Sequence, residues 1–386
     1  MKRFGTGGST RRRGKLQSAA MCLALLAAGA AGVLRAGDFL LPAVERISRD
    51  AALLAGAAAM PEGTAEAIRE RFAGYVYSPE DLSPEEEIPL LPAESEPEPT
   101  LPTEASPGDP PPEVSPEYRG VLVAETMTGS DSGACYSIGA GYLRNYTDIA
   151  KATIQAELSK PLKLAPKADG RVEVLIIHTH ATESYEGYDA DYYDKRNTWR
   201  STDNNRNMVA VGNVLEQKLT EAGIGVVHDT AQYDYPSYTG SYDRAAESVK
   251  QYLAEYPDIQ LILDVHRDGI QRDENTIVKP YTTINGKKAA QIMILCGSDP
   301  DGSMGIPGWT DNLRTAAAVT NALEEAFPTL TRPIFLSGGR YNMNLCGGTI
   351  LLEFGSQANT LEEAMYSAEL AGEALADYLL QLSGQN

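Results

Sequence analysis

The sequence predicts an α/β protein: a single three-layer domain in which helices flank both faces of a mostly parallel, twisted sheet. Three observations carry this. Short, mostly apolar runs occur at residues 174–177 (Val-Leu-Ile-Ile), 261–265, 291–295 and 349–352, with a shorter one at 226–228. Continuous runs of this length suit strands buried on both faces. They alternate with segments of helical periodicity at 207–219, 242–256, 313–327 and 361–382, the order expected of helices packed over a parallel sheet. Finally, three of the runs end in ionisable residues: His178 and His180 after the first, His266 after the second and Glu353 after the third. Sheets of this class gather their ligands at the carboxyl ends of the strands.

The chain of 386 residues, 42% of them hydrophobic, is long enough for one large domain with appendages. Its formal net charge of −20 argues against nonspecific nucleic-acid binding. Much of that charge lies in residues 79–117, a Pro/Glu-rich stretch without Lys or Arg. Such a composition buries too little apolar surface to fold and predicts a disordered, extended linker. Residues 41–78, Ala-rich with charged clusters and Pro61 between them, read as two short juxtamembrane helices. Residues 1–40 hold a basic tail (Lys2, Arg3, Arg11, Arg12, Arg13, Lys15) followed by an uncharged span at 16–34. About 20 apolar residues cross a bilayer, and the positive flank stays inside. The span is an anchor or a cleaved signal, and both readings put the globular domain, residues 118–386, outside the cytoplasm. The four cysteines show no CxxC spacing, and Cys22 lies in the span, so no disulfide framework is implied. No phosphate-binding glycine motif follows any predicted strand.

Only four histidines occur, and three of them sit at two strand ends. A metal hydrolase needs three N or O ligands and a carboxylate to move protons. His180 and His266 supply two ligands, and Glu183, Asp194 and Asp203 are the candidates for the third, among which spacing does not choose. Glu353, at the tip of an apolar run, is the candidate general base, since burial raises a carboxyl pKa toward the working range. The HxH spelling offers an alternative in which His178 and His180 grip one metal together, provided the strand continues through Thr179. His228 beside Asp229 reads as structural.

The strings from Val174 to Tyr185, including His178-Thr179-His180-Ala181-Thr182-Glu183-Ser184-Tyr185, resemble the stage II sporulation protein P family. So do Arg200-Ser201-Thr202-Asp203, Asp264-Val265-His266-Arg267-Asp268 and Leu351-Leu352-Glu353-Phe354-Gly355. That family is related to the zinc-dependent N-acetylmuramoyl-L-alanine amidases. The resemblance implies Zn2+ held by His180, Asp203 and His266, with Glu183 as the substitute ligand, and Glu353 as catalytic base. It implies cleavage of the amide between N-acetylmuramic acid and L-alanine in peptidoglycan during septum thinning and engulfment, with peptide crosslinks as a second target. The implied partner is the lytic transglycosylase stage II sporulation protein D, at the septal membrane. Arg267 or Arg340 is the candidate for a stem-peptide carboxylate. The competing readings are an inactive wall-binding scaffold and a different HxH metallohydrolase.

Overall fold

Thirteen strands and five helices make up the computed structural model, which describes residues 113–385. The anchor, the juxtamembrane helices and nearly all of the linker lie outside the described residues. Val114 is buried, and Pro116–Tyr118 forms a turn of 3-10 helix, so ordered packing starts a few residues before the expected boundary at Tyr118. No helix among the described residues is long and apolar enough to cross a membrane.

In chain order the elements are β1 (Arg119–Glu125), β2 (Cys135–Ser137), β3 (Tyr142–Asn145), α1 (Lys151–Leu158), β4 (Val172–Ile177), β5 (Tyr192–Asp194), α2 (Met208–Glu221), β6 (Gly225–His228) and α3 (Ser241–Glu255). There follow β7 (Leu261–Asp268), β8 (Gln271–Asp273), β9 (Thr276–Ile284), β10 (Lys287–Ala290), β11 (Ile292–Gly297), α4 (Trp309–Ala326), β12 (Ile334–Ser337), β13 (Thr349–Ser356) and α5 (Leu361–Ser383). The main sheet has eight strands in the order β2-β3-β12-β11-β13-β7-β4-β6. Its centre, β13-β7-β4-β6, is parallel throughout, while β11 meets β13 antiparallel and β2 meets β3 antiparallel.

The apolar run in β4 shows why this sheet is covered on both sides. Successive side chains point to opposite faces. Val174 and Ile176 accordingly join Val211 and Leu215 of α2 in one core cluster, and Leu175 and Ile177 join Ala245 and Val249 of α3 in another. Each such side chain, fully buried, contributes roughly 1.5–3 kcal/mol. Asn207 begins α2, its carboxamide oxygen accepting from the Val209 amide at 3.0 Å. A capping box between Thr360 and Glu363 begins α5.

A second sheet, β10-β9-β1-β5 with β8 on the side of β9, accompanies the main one and was not expected from the sequence. Its strand β9 contains Lys279 and Pro280, which break an apolar pattern. Lys279 is nonetheless buried, its Nζ 2.8 Å from Asp189 and 3.0 Å from Glu363. The partner strand β1 pairs in parallel with β9 from far away in sequence, and no local pattern announces such a pairing. Among the described residues the three cysteines, Cys135, Cys296 and Cys346, are free thiols.

Candidate functional site

The parallel neighbours β4, β7 and β13 end on the same side of the sheet, and each carries one part of the site. Ile177 at the end of β4 lies opposite Asp264 of β7, and Glu353 of β13 lies opposite His266 of β7. The chain leaves β4 in a turn over residues 179–182 that brings His180 beside His266, their ring centroids 5.2 Å apart and nearly perpendicular. After Glu353, β13 is irregular, and Gly355 takes a left-handed φ of 70° there. A Cβ at Gly355 would stand 2.4 Å from Asn359 Oδ1, so the residue must be glycine for the strand to break beside Glu353.

His266 is held between two carboxylates. Its Nε2–H donates to Asp264 Oδ1 at 2.8 Å, and its Nδ1 faces Glu183 Oε2 at 3.5 Å. Asp264 is itself oriented by Thr179, whose amide donates at 2.9 Å and whose hydroxyl donates at 2.7 Å. Burial works against a charge on His266, but Asp264 and Glu183 hold its pKa well above the ordinary imidazole value. Burial likewise opposes the charge on Glu183, yet Arg267, His266 and Arg200 hold its pKa well below the usual carboxylate range. His180 has the opposite setting: burial pushes its pKa down to about 3. It is therefore a neutral imidazole, with Nε2 facing the Tyr238 hydroxyl at 3.1 Å and Nδ1 facing Ser241 Oγ at 3.4 Å. Glu353 is the reverse of Glu183. Burial and the nearby Asp268 raise its pKa well above the ordinary value, and its Oε2 is buried without a hydrogen-bond partner.

As the side chains stand, no three His, Cys, Asp or Glu among the described residues close on one point at metal-ligand spacing. The donor chemistry at His180, Glu183 and His266 does fit a divalent cation. It offers a neutral imidazole, an ionised carboxylate and a second imidazole in a niche that favours positive charge, its Nε2–H fixed by a carboxylate as metal-ligating histidines commonly are. Glu353 adds an acid group with an unsatisfied oxygen next to them.

The sequence profile of Stage II sporulation protein P (SpoIIP) matches residues 142–376. The chain belongs to the stage II sporulation protein P family. It is similar to stage II sporulation protein P of Bacillus subtilis (strain 168), 27% identical over 244 residues, which cover 60% of this chain and 57% of that protein. The chain thus spans little more than half the length of that relative. Solved structures similar to it include the CwlD amidase of Clostridioides difficile in complex with the GerS lipoprotein, at 10% identity and a TM-score of 0.35, covering 55% of this chain and 100% of that one. The N-acetylmuramoyl-L-alanine amidase AmiC2 of Nostoc punctiforme is similar at 13% identity and a TM-score of 0.33, covering 54% of this chain and 96% of that one.

In this family member the expected residues separate into two groups. His180, His266, Glu183 and Glu353 come together. Asp203 does not join them: it is exposed and its carboxylate accepts from the amide and side chain of Asn205 at 2.9 and 3.0 Å, a local turn contact. Asp194 lies on β5 in the second sheet, paired with Arg196 at 2.6 Å. Glu183 is therefore the carboxylate beside the histidines. Its chain position within the turn after β4 explains this, since the loop does not need to fold back from residue 203.

The HxH alternative is corrected by hydrogen-bond direction. The Val265 carbonyl, 2.9 Å from His178 Nδ1, can only accept, so His178 carries its proton there. Burial lowers its pKa to about 3, so the ring is neutral and its remaining lone pair on Nε2 accepts from His228 Nε2 at 2.8 Å. No lone pair of His178 is left for a metal. His228 in turn meets Glu216 at 3.1 Å, which gives it the structural part expected of it.

Arg267 does not face solvent as a substrate-binding group would. Its guanidinium donates to the carbonyls of Ser184 at 3.0 Å, Trp199 at 3.1 Å and Asp268 at 3.3 Å, fastening the loops that carry Glu183. Arg340 is exposed and donates to Asn344 at 3.0 Å. Sequence reading missed Asp264, although a spacing of two in a strand puts it on the same face as His266. It also left Tyr238 without a role of its own, since no local signal sets it apart from the other tyrosines between Tyr185 and Tyr256.

Proposed function

We propose that this chain is a peptidoglycan hydrolase that cuts the amide between the lactyl group of N-acetylmuramic acid and L-alanine during sporulation. The observation that carries the reading is the meeting of two histidines, an ionised carboxylate and a protonatable carboxyl at the ends of three adjacent parallel strands, in a member of the stage II sporulation protein P family. His180, Glu183 and His266 would hold Zn2+, which when bound supplies Lewis acidity, lowering the pKa of water and polarising a carbonyl.

The protein's own residues account for the rest. Asp264 keeps the His266 proton on Nε2 and so keeps Nδ1 turned toward Glu183. Glu353 takes a proton from the attacking water as its oxygen bonds to the lactyl carbonyl carbon. The C–N bond then breaks, and Glu353 returns the proton to the leaving L-alanine nitrogen, giving a lactyl carboxylate and a free amino terminus. Burial raises the pKa of Glu353, which makes it a stronger proton acceptor than an exposed carboxylate.

The test uses the full chain in detergent with purified sacculi. Stem peptides with new L-alanine amino termini are expected, their release abolished by chelation and restored by zinc. Products cut only within the peptides would replace the amidase by an endopeptidase of crosslinks. The reading extends to an extracytoplasmic enzyme at the septal membrane, tethered through residues 16–34, and to cooperation with stage II sporulation protein D, whose glycan cuts would expose further stems.

A further inference from the structure

Amide hydrolysis builds negative charge on the carbonyl oxygen and needs donors aimed at it. The carboxylates of Glu183 and Asp264 can stabilise no oxyanion, Glu353 is engaged in moving the water proton to the leaving nitrogen, and Arg267 is committed to backbone carbonyls. Two other groups meet the need. The ring of Tyr238 lies parallel on His180, centroids 4.4 Å apart and 8° between planes, with its hydroxyl 3.1 Å from Nε2. The Arg200 guanidinium stands over the same Tyr238 ring at 5.1 Å, with Nη2 3.8 Å from Glu183 Oε1. Its side chain remains 34% exposed, so the guanidinium is open to solvent in part.

Both groups are held in place before any substrate binds. Arg200 Nη1 donates to Asp234 at 2.9 Å, and the same buried carboxylate accepts from the Thr182 hydroxyl at 2.5 Å, linking the loop after β6 to the turn that carries His180. Arg244 donates to the carbonyl of Tyr233 at 2.7 Å and of Thr239 at 3.0 Å, bracing the loop segment that presents Tyr238. Donors fixed in this way cost no reorganisation as charge develops.

We infer that Tyr238 is a further catalytic residue, its hydroxyl donating with Arg200 to the scissile carbonyl oxygen as that oxygen becomes negative. The inference rests on the amidase reading above and adds the groups that stabilise the oxyanion. The experiment compares full-chain wild type, Tyr238→Phe and Arg200→Lys in zinc affinity by chelator competition, in kcat and KM for stem-peptide release, and in affinity for a muramyl dipeptide analogue bearing a phosphinate in place of the scissile amide. Tyr238→Phe is expected to lose about 100-fold in kcat, to keep KM and zinc affinity within about threefold, and to lose phosphinate affinity in proportion to kcat/KM. Arg200→Lys is expected to show the same pattern with a smaller loss. Wild-type turnover in Tyr238→Phe, a loss confined to KM, or a loss explained by weakened zinc binding would each overturn the inference while leaving the amidase reading intact. Absence of stem-peptide release by the wild type would overturn both.

Discussion

Residue chemistry at this site is set by what each side chain is buried against. Glu183 and Glu353 are the same amino acid at neighbouring strand ends, yet cations lower the pKa of one while burial and Asp268 raise that of the other. Replacing Glu183 by Gln is expected to abolish zinc binding, whereas Asp203→Asn retains it, because Asp203 is occupied in an exposed turn; equilibrium dialysis of the two variants decides. Glu353→Gln should keep its zinc and lose turnover by more than about 100-fold, and full activity in that variant would remove Glu353 from the reaction. Asp264→Asn should weaken zinc binding by about 10–100-fold through the loss of its hold on His266. Glu186 gives a test of stability against pH. Burial raises its pKa to about 7 from 4.5, although the Trp199 indole N–H donates to it at 2.6 Å. A folded-state pKa above the unfolded one stabilises below the unfolded value and loses that contribution as pH climbs through about 7. Glu186→Gln should therefore match the wild type at pH 4 and exceed it at pH 8, by on the order of 1–3 kcal/mol; denaturant melts at both pH values check the sign.

Elements are tied to the site through close backbone approaches. Helix α2 comes so near the sheet that a Cβ on Gly212 would lie 2.7 Å from Nε2 of both His178 and His228. Gly212→Ala should push the helix outward or break the imidazole pair, costing about 1–3 kcal/mol, read as a lower midpoint in chemical denaturation; an unchanged midpoint would mean that the helix shifts freely. Strand assignments followed from mostly apolar runs, so β4, β7, β11 and β13 were legible in the sequence, as were α2, α3, α4 and α5 from their periodicity. The strands that escaped are of another kind. β2, β8 and β5 are three residues long, and β9 interrupts its apolar pattern with a buried lysine whose charge is neutralised by Asp189 and Glu363 from elsewhere in the chain. A lysine of that sort reads as surface until its partners are known.

For the whole molecule, the described residues 113–385 contain the main core, the second sheet and every residue of the site. Residues 1–112 lie outside the described residues, and we propose for them the anchor and linker expected from the sequence. Removing them is expected to leave the thermal midpoint unchanged and to shift the protein from the membrane fraction to the soluble one. A truncated chain that aggregates or melts several degrees lower would give the N-terminal region a part in the fold.

What the sequence determined by itself was the α/β class and the strand ends at which His180, His266 and Glu353 stand, because period and local order are properties of neighbouring residues. Only the tertiary structure decided which carboxylate stands beside the histidines, that His178 spends its lone pair on His228, that Arg267 fastens loops, and that Tyr238 covers His180. Those are outcomes of how loops from separate strands cross above the sheet, and the direction a loop takes depends on buried partners such as Asp234 and Asp264 that lie far away along the chain.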